Sequence, residues 1–250
     1  MRKRIIPCLD IRDGRVVKGK KFQNVQDVAN PIDLAKQYEN DQADGLFLLD
    51  ISGKDRMKFL QVVKDIADHT TFPLYVGGGI RSIEDIREVI DSGAKKISIT
   101  SAAIDQPYLL KEAVDIFGGK HIILSIDAKQ IAPNTWHAFT KGGRQDSGLD
   151  AIEWAKQGES LGVSEILLNS IDADGVKTGY DLALNKAVSS AVNIPVIASG
   201  GAGEFYHFRD VLNEGKASAA LAASVFHYNE IQITDLKEYL LNFDITVEEI

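Results

Sequence analysis

At 250 residues the chain is long for an ordinary domain and close to the size of one α/β barrel. A hydrophobic share of 44% and a charged share of 26% are those of a globular protein able to fill a core. A formal charge of -8 without a basic stripe argues against nucleic-acid or membrane-surface binding, and the single Cys8 excludes an intramolecular disulfide and suits a reducing cytosol.

The start, MRKRIIPCLD, is basic and then apolar. Its apolar run is short and meets Asp10 without a small-residue cleavage site, so it reads as a strand over 4–10 rather than a signal peptide. No segment reaches the apolar length of a membrane span. A connection over 11–30 follows, too long for a simple turn. Then come a helix over 31–43 with Pro31 in its first turn, a strand over 46–51 and a helix over 57–69. A strand over 73–77 leads to a helix over 82–92, which Ser82 should cap with Asp85 at the capping-box distance. A strand over 95–100, a helix over 105–117 and a strand over 121–127 come next. After a second long connection, 128–148, helices over 149–162, 181–192, 204–214 and 234–242 alternate with strands over 165–170, 194–199 and 218–223. Gly93, Gly118 and Gly162 fall where helices should stop.

The strands are mostly continuous Ile/Val/Leu/Ala runs, as in parallel sheets covered on both faces. Eight strands alternating with eight helices predict a closed (β/α)8 TIM barrel, with an open doubly wound sheet as the rival. No Pro- or Ser-rich linker divides the chain, so 1–250 is expected to be one domain.

Three pairs of strings favour closure. RIIPCLD and HIILSID place Asp10 and Asp127 117 positions apart; LFLLDIS (46–52) and ILLNSID (166–172) differ by 120, and FPLYVGGGI (72–80) and IPVIASGGA (194–202) by 122. A half-unit used twice, about 1–120 and 121–250, closes edge to edge without free strands. The two long connections follow the strands that end in these aspartates, and in a barrel such loops stand at the catalytic face. DGRVVKGKKF (13–22) and KGGRQDSG (141–148) are glycine-rich and basic, fit to fold over an anion.

A carboxylate ending a buried strand must be solvated, hydrogen-bonded or paired. Asp10 and Asp127 therefore either cap loops or pair with a lysine such as Lys129, or they form a general acid–base pair serving opposite sides of one reacting centre. The duplication favours the second. GGGI (77–80) and SGGAG (199–203) each lie between a strand and a helix, where glycine lets backbone N–H groups approach an anion. ITSAA (99–103) and LAASVF (221–226) follow each by some twenty residues, so each half carries a candidate phosphate seat rather than a plain turn. NSIDADGVKTGYD (169–181) lacks the EF-hand pattern and offers either ordinary turn chemistry or substrate hydrogen bonds. The five histidines show no paired ligand spacing, and no Walker, GxSxG or complete dinucleotide fingerprint is present, so neither a metal nor another cofactor is expected.

RIIPCLDIRDGRVVKG, VGGGI, SIDAK, EILLNSIDADGVKTGYD, PVIASGGAGEFYHF and LAASVFH resemble the cyclase subunit of imidazole glycerol phosphate synthase, nearly end to end. The resemblance implies cyclisation of a bis-phosphorylated ribulosyl-aminoimidazole carboxamide nucleotide with ammonia, giving imidazole glycerol phosphate and an aminoimidazole carboxamide ribotide. It implies that Asp10 and Asp127 are catalytic and that Lys18 is a mobile-loop lysine holding substrate. Gly79, Thr100 and Ser101 match one phosphate pocket; Asp174, Gly175, Gly201, Ala223 and Ser224 match the other, with Ser199 near the reacting centre. It also implies a cytoplasmic enzyme, a glutaminase docked beneath the barrel and a charged ring there, three members of which match Arg4, Lys96 and Glu165. Gly45 stands where that family usually has glutamate, Lys95 replaces a common aspartate at the glutaminase-facing edge, and Asn169 replaces a frequent threonine beside the active site. The sister isomerase barrel, a paralogous subunit for surface-sugar amidination and a non-enzymatic glutaminase-activating scaffold are the alternatives. SGGAG with LAASVFH and the CLD start favour the cyclase over the isomerase, and Asp10 weighs against the paralogue.

Overall fold

A computed structural model describes residues 2–20, 23–51 and 55–247, with side chains throughout these spans except at 18–20 and 23–29. The chain begins with strand β1 (Arg4–Arg12), a hairpin of β2 (Arg15–Lys20) and β3 (Gln23–Ala29), and helix α1 (Pro31–Asn40). Next come β4 (Leu46–Asp50), α2 (Arg56–Ala67), β5 (Leu74–Gly77), α3 (Ile83–Asp91) and β6 (Lys96–Ile99). The short α4 (Ser101–Asp105) precedes α5 (Tyr108–Phe117), and β7 (Ile122–Ala132) runs on into β8 (Thr135–Thr140) and β9 (Gln145–Asp150). The remainder is α6 (Ala151–Leu161), β10 (Glu165–Ser170), α7 (Leu182–Ala191), β11 (Val196–Ser199), α8 (Phe205–Asn213), β12 (Ala219–Ala222), the short α9 (Ser224–His227) and α10 (Ile233–Leu241).

Eight of these strands pair in parallel in the order β1, β4, β5, β6, β7, β10, β11, β12, and β12 pairs back to β1 with Arg4 opposite Ala219. The sheet is therefore a closed barrel with helices outside, as the alternating pattern predicts, and the open sheet is excluded. No helix among the described residues is long and apolar enough to cross a membrane.

Alternation along each strand divides the apolar residues into two separate clusters. Ile5, Leu9, Leu46, Leu48, Val76, Ile97, Leu124, Ile166, Leu168, Ala198 and Ala220 face outward and pack under the helices. Ile6, Cys8, Phe47, Tyr75, Ile123, Leu167, Ile197, Ala219 and Leu221 form the second cluster, which fills the lumen. Cys8 is buried there, the position expected of a packed, inert thiol.

Helix ends follow their signals. Ser82 accepts the Asp85 N–H, Asn30 accepts the Ile32 N–H ahead of Pro31, and Gly162 closes α6 in the left-handed conformation. The two long connections, expected as irregular loops, instead carry antiparallel strands, β2 and β3 in the first and β8 and β9 in the second. Arg12 pairs with Arg15 across Asp13 and Gly14, both at positive φ, which is the two-residue turn that matches strand twist. Trp136 and Ala138 are buried in the outer cluster while His137 and Phe139 are half-buried, so β8 is a genuine alternating strand.

One ion pair ties α10 to the barrel. Lys237 Nζ lies 2.5 Å from Asp44 Oδ1, with side chains 7% and 1% exposed, and Asp44 also accepts the Ile5 N–H at 2.6 Å. Removing one member of a buried pair leaves a charge in low dielectric, so Lys237→Ala should lose about 3–5 kcal/mol of unfolding free energy. A urea midpoint within experimental error of the parent would contradict this.

Candidate active site at the carboxyl ends of the barrel strands

Cys8 and Ile123 face the lumen, so Asp10 and Asp127, two and four residues further along β1 and β7, face it too. Three barrel strands separate β1 from β7 in either direction around the ring, which puts the two carboxylates on opposite walls of one mouth. Both keep partial exposure.

Their surroundings share a register but differ in chemistry. Asp10 sits opposite Leu49 on β4, and Asp127 sits opposite Asn169 on β10, 120 positions after Leu49. Asn169 Nδ2 donates to Asp127 Oδ1 at 3.1 Å, and Ser199 on β11 lies next in register. Burial raises the Asp127 carboxyl above its ordinary range; the Asn169 hydrogen bond opposes the rise and the Asp174 charge adds to it.

The glycine turns seat on equivalent ground in each half. At Gly78 a Cβ would meet the Asp50 backbone at 2.3 Å, and at Gly200, 122 positions on, it would meet the Ser170 carbonyl at 2.8 Å and Asn169 Oδ1 at 3.1 Å. Gly79 lies beside the Asp50 carboxylate, at 3.8 Å from its would-be Cβ. Gly201 cannot be replaced without rebuilding: its φ is +109° and a Cβ would stand 2.0 Å from the Gly179 carbonyl oxygen. The Gly179 N–H donates to the Gly201 carbonyl at 2.9 Å, and the Tyr180 hydroxyl donates to the Leu221 carbonyl at 3.0 Å. The loops after β10 and β11 are thereby stitched to β12. Asp174 closes a turn on the Ser170 carbonyl, while Gly175 faces open space.

Thr100 and Ala223 occupy matching positions before α4 and α9, with similar backbones (φ -112°, ψ -95° and φ -122°, ψ -77°) and no side-chain cap on either helix. Ser101 and Ser224 open these helices. Ser101 Oγ accepts the Lys141 N–H at 3.0 Å, and a Cβ at Gly143 would touch Ile171 at 3.1 Å, so the β8–β9 turn links the loop after β6 to the loop after β10. Lys18 belongs to β2, but its side chain, like Lys21 and Phe22, lies outside the described residues.

At the other end of the barrel, Arg4, Lys96 and Glu165 meet. Arg4 donates through two nitrogens to the two Glu165 oxygens at 3.3 and 3.1 Å, and Lys96 Nζ lies 2.5 Å from Glu165 Oε1. Burial pulls the Arg4 guanidinium down, but Glu165 and Tyr75 outweigh it and raise it further. Lys95 stands exposed beside this ring. Tyr75 is the residue that the motifs do not single out: it sits inside a strand of ordinary composition, and only the register brings its hydroxyl to Arg4 Nη1, at 3.3 Å.

A closed parallel barrel whose mouth carries opposed strand-end carboxylates and paired glycine turns is built as an α/β-barrel enzyme. The chain belongs to the histidine biosynthesis protein family, whose model matches residues 4–232. It is 55% identical to the imidazole glycerol phosphate synthase subunit HisF of Oceanobacillus iheyensis over 247 residues, 98% of this chain and 97% of that protein.

A carboxyl raised in the folded state favours folding when protonated. That contribution is whole below the unfolded value of about 3.9 and is lost as pH rises through the folded value, at ~1.4 kcal/mol per pKa unit. Asp127→Asn should therefore be more stable than the parent at neutral pH, with the difference closing in acid. Denaturant titrations at neutral pH and below pH ~4 check this, and a parent more stable than the variant at neutral pH would contradict it.

Proposed function

We propose that this chain is the cyclase subunit of imidazole glycerol phosphate synthase. It takes ammonia and a bis-phosphorylated ribulosyl-formimino aminoimidazole carboxamide ribotide to imidazole glycerol phosphate and the aminoimidazole carboxamide ribotide. The observation that carries the reading is the pair of lumen-facing carboxylates, Asp10 and Asp127, on opposite walls of one mouth. The extended identity to a synthase subunit supports it.

Ammonia adds to the substrate ketone and water leaves to give an imine; proton transfers then close the imidazole and expel the ribotide. Each addition and expulsion needs a proton delivered on one side of the carbon and taken on the other. Asp127, whose carboxyl burial pushes up, is suited to hold a proton and hand it to departing water. Asn169 keeps that carboxyl aimed at the mouth. Asp10 faces it as the acceptor. The substrate's two phosphates settle at Gly79, Thr100 and Ser101 in one half and at Asp174, Gly175, Gly201, Ala223 and Ser224 in the other. Turns of glycine and helix starts supply N–H groups to such anions. Ser199 lines the space between, and Lys18 draws the first hairpin over the substrate.

Free ammonia is scarce near neutral pH because its conjugate acid dominates, so a second subunit should supply it. The relative's description as a subunit supports a partner, and we take that partner to be a glutaminase seated at the Arg4–Lys96–Glu165 end, with ammonia crossing the lumen. The same reading takes residues 1–250 as one domain of two fused halves.

The isolated chain supplied with ammonium salt and the bis-phosphate nucleotide should release both products. Folded protein that releases neither would establish the scaffold alternative. Asp10→Asn and Asp127→Asn should each lower kcat by about 10²–10⁴-fold with the fold intact. Lys18→Ala should raise KM severalfold, checked by steady-state kinetics, because a lid contact acts on substrate retention.

A further inference from the structure

Helix α8 begins at the mouth of the barrel, and the third of its residues, His207, is only 5% exposed there. Its Nδ1 lies 3.0 Å from the Glu204 backbone nitrogen and accepts that N–H, while the Glu204 side chain accepts the His207 N–H. This reciprocal pair caps the helix. A ring nitrogen that accepts an N–H carries no proton, so the proton of the neutral imidazole sits on Nε2 and the ring orientation is fixed.

A cap needs only an acceptor. The corresponding residue of the first half, 122 positions earlier, is Asp85, third in α3. It accepts the Arg81 N–H through Oδ2 at 2.7 Å. His207 adds a contact that a carboxylate does not supply: its ring lies against Gly179, where a Cβ would stand 3.3 Å from Cδ2 and 3.6 Å from Nε2. Gly179 in turn donates its N–H to the Gly201 carbonyl at 2.9 Å, and its own carbonyl oxygen would be 2.0 Å from a Cβ on Gly201. The Lys177 carbonyl closes on Gly203 in the same way, 2.2 Å from a Cβ there. The segment 177–179 thus lies directly on the glycine turn, and the imidazole packs on that segment. One side chain holds the turn at Glu204, where it enters α8, and at Gly179, which bonds its middle.

We propose that His207 is a positioning residue for the phosphate seat of the second half: its ring holds Gly179, and Gly179 sets the Gly201 turn that meets the anion. The inference rests on the reading above in which Gly201 belongs to such a seat. Backbone N–H groups hold a phosphate only while they converge on one centre. Glycine at 179 and 201 permits the close approach of the two segments, but glycine also has the most backbone freedom to lose. A packed ring removes that freedom before the ligand arrives, which is how preorganisation raises affinity.

The test compares His207→Gln and His207→Ala with the parent, each as the full chain. Gln keeps an acceptor for the Glu204 N–H and loses the ring; Ala loses both, and Gln remains informative if Ala folds poorly. Imidazole glycerol phosphate and the aminoimidazole carboxamide ribotide carry one phosphate each, so titrating them singly by calorimetry separates the two seats. The expected result in both variants is an affinity lowered by about threefold or more for one product and within about twofold of the parent for the other. KM for the bis-phosphate nucleotide should rise, with ammonium-driven kcat within about twofold of the parent. A Gln variant that binds both products as the parent does overturns the proposal, because His207 is then a helix cap alone. So does an equal weakening of both products, which marks a purely structural residue, or a kcat that falls while KM is unchanged. If the parent binds neither product, the phosphate seats are refuted, and this role falls with them on that separate observation.

Discussion

Closing eight strands into a ring leaves each residue two destinations, and the period of the strand decides which one it takes. Every second side chain is committed to the lumen, and the others lie under the helices. Ile6, Cys8 and Asp10 on β1 climb the same wall, as do Ile123 and Asp127 on β7. A slip of one residue in either strand would send its aspartate under the helices and an isoleucine into the mouth. Registry, more than any single contact, makes the site: parallel pairing from Arg4–Ala219 around to Asn169–Asp127 holds all rim positions at once.

Duplication supplies the frame, and divergence supplies the chemistry. Leu49 and Asn169 stand at the same place beside the two carboxylates, yet only the amide gives its neighbour a hydrogen bond. The turn glycines repeat this pattern. Gly78 and Gly200 rest on equivalent backbone, while Gly201 and Gly203 are locked against the Gly179 and Lys177 carbonyls of the preceding loop. The frame is therefore repeated, while the groups beside the two carboxylates are not.

Much of this was legible in the residues. The continuous apolar runs marked every barrel strand within a residue or two at its start, because strands buried on both faces leave little else to read. Asp10 and Asp127 stood out because each ended such a run, and repetition of their context separated them from ordinary loop caps. The hairpins β2–β3 and β8–β9 were misread as irregular. Their alternation is diluted by glycine and charge, although Asp13–Gly14 is itself a hairpin signal. The short helices α4 and α9 are too brief for any period to register. Tyr75 was invisible for a different reason: its hydroxyl meets Arg4 only through the curvature of the barrel.

The continuity of β7 has a mechanical side. Asp127 is bonded along one edge to Asn169 of the barrel and faces Phe139 of the β8 arm along the other, so a single ribbon carries both barrel wall and arm. The tip of that arm rests on Ser101 through Lys141 and leans on Ile171 through Gly143. The backbone that carries Asp127 is thus anchored at its far end on loops from both halves of the barrel.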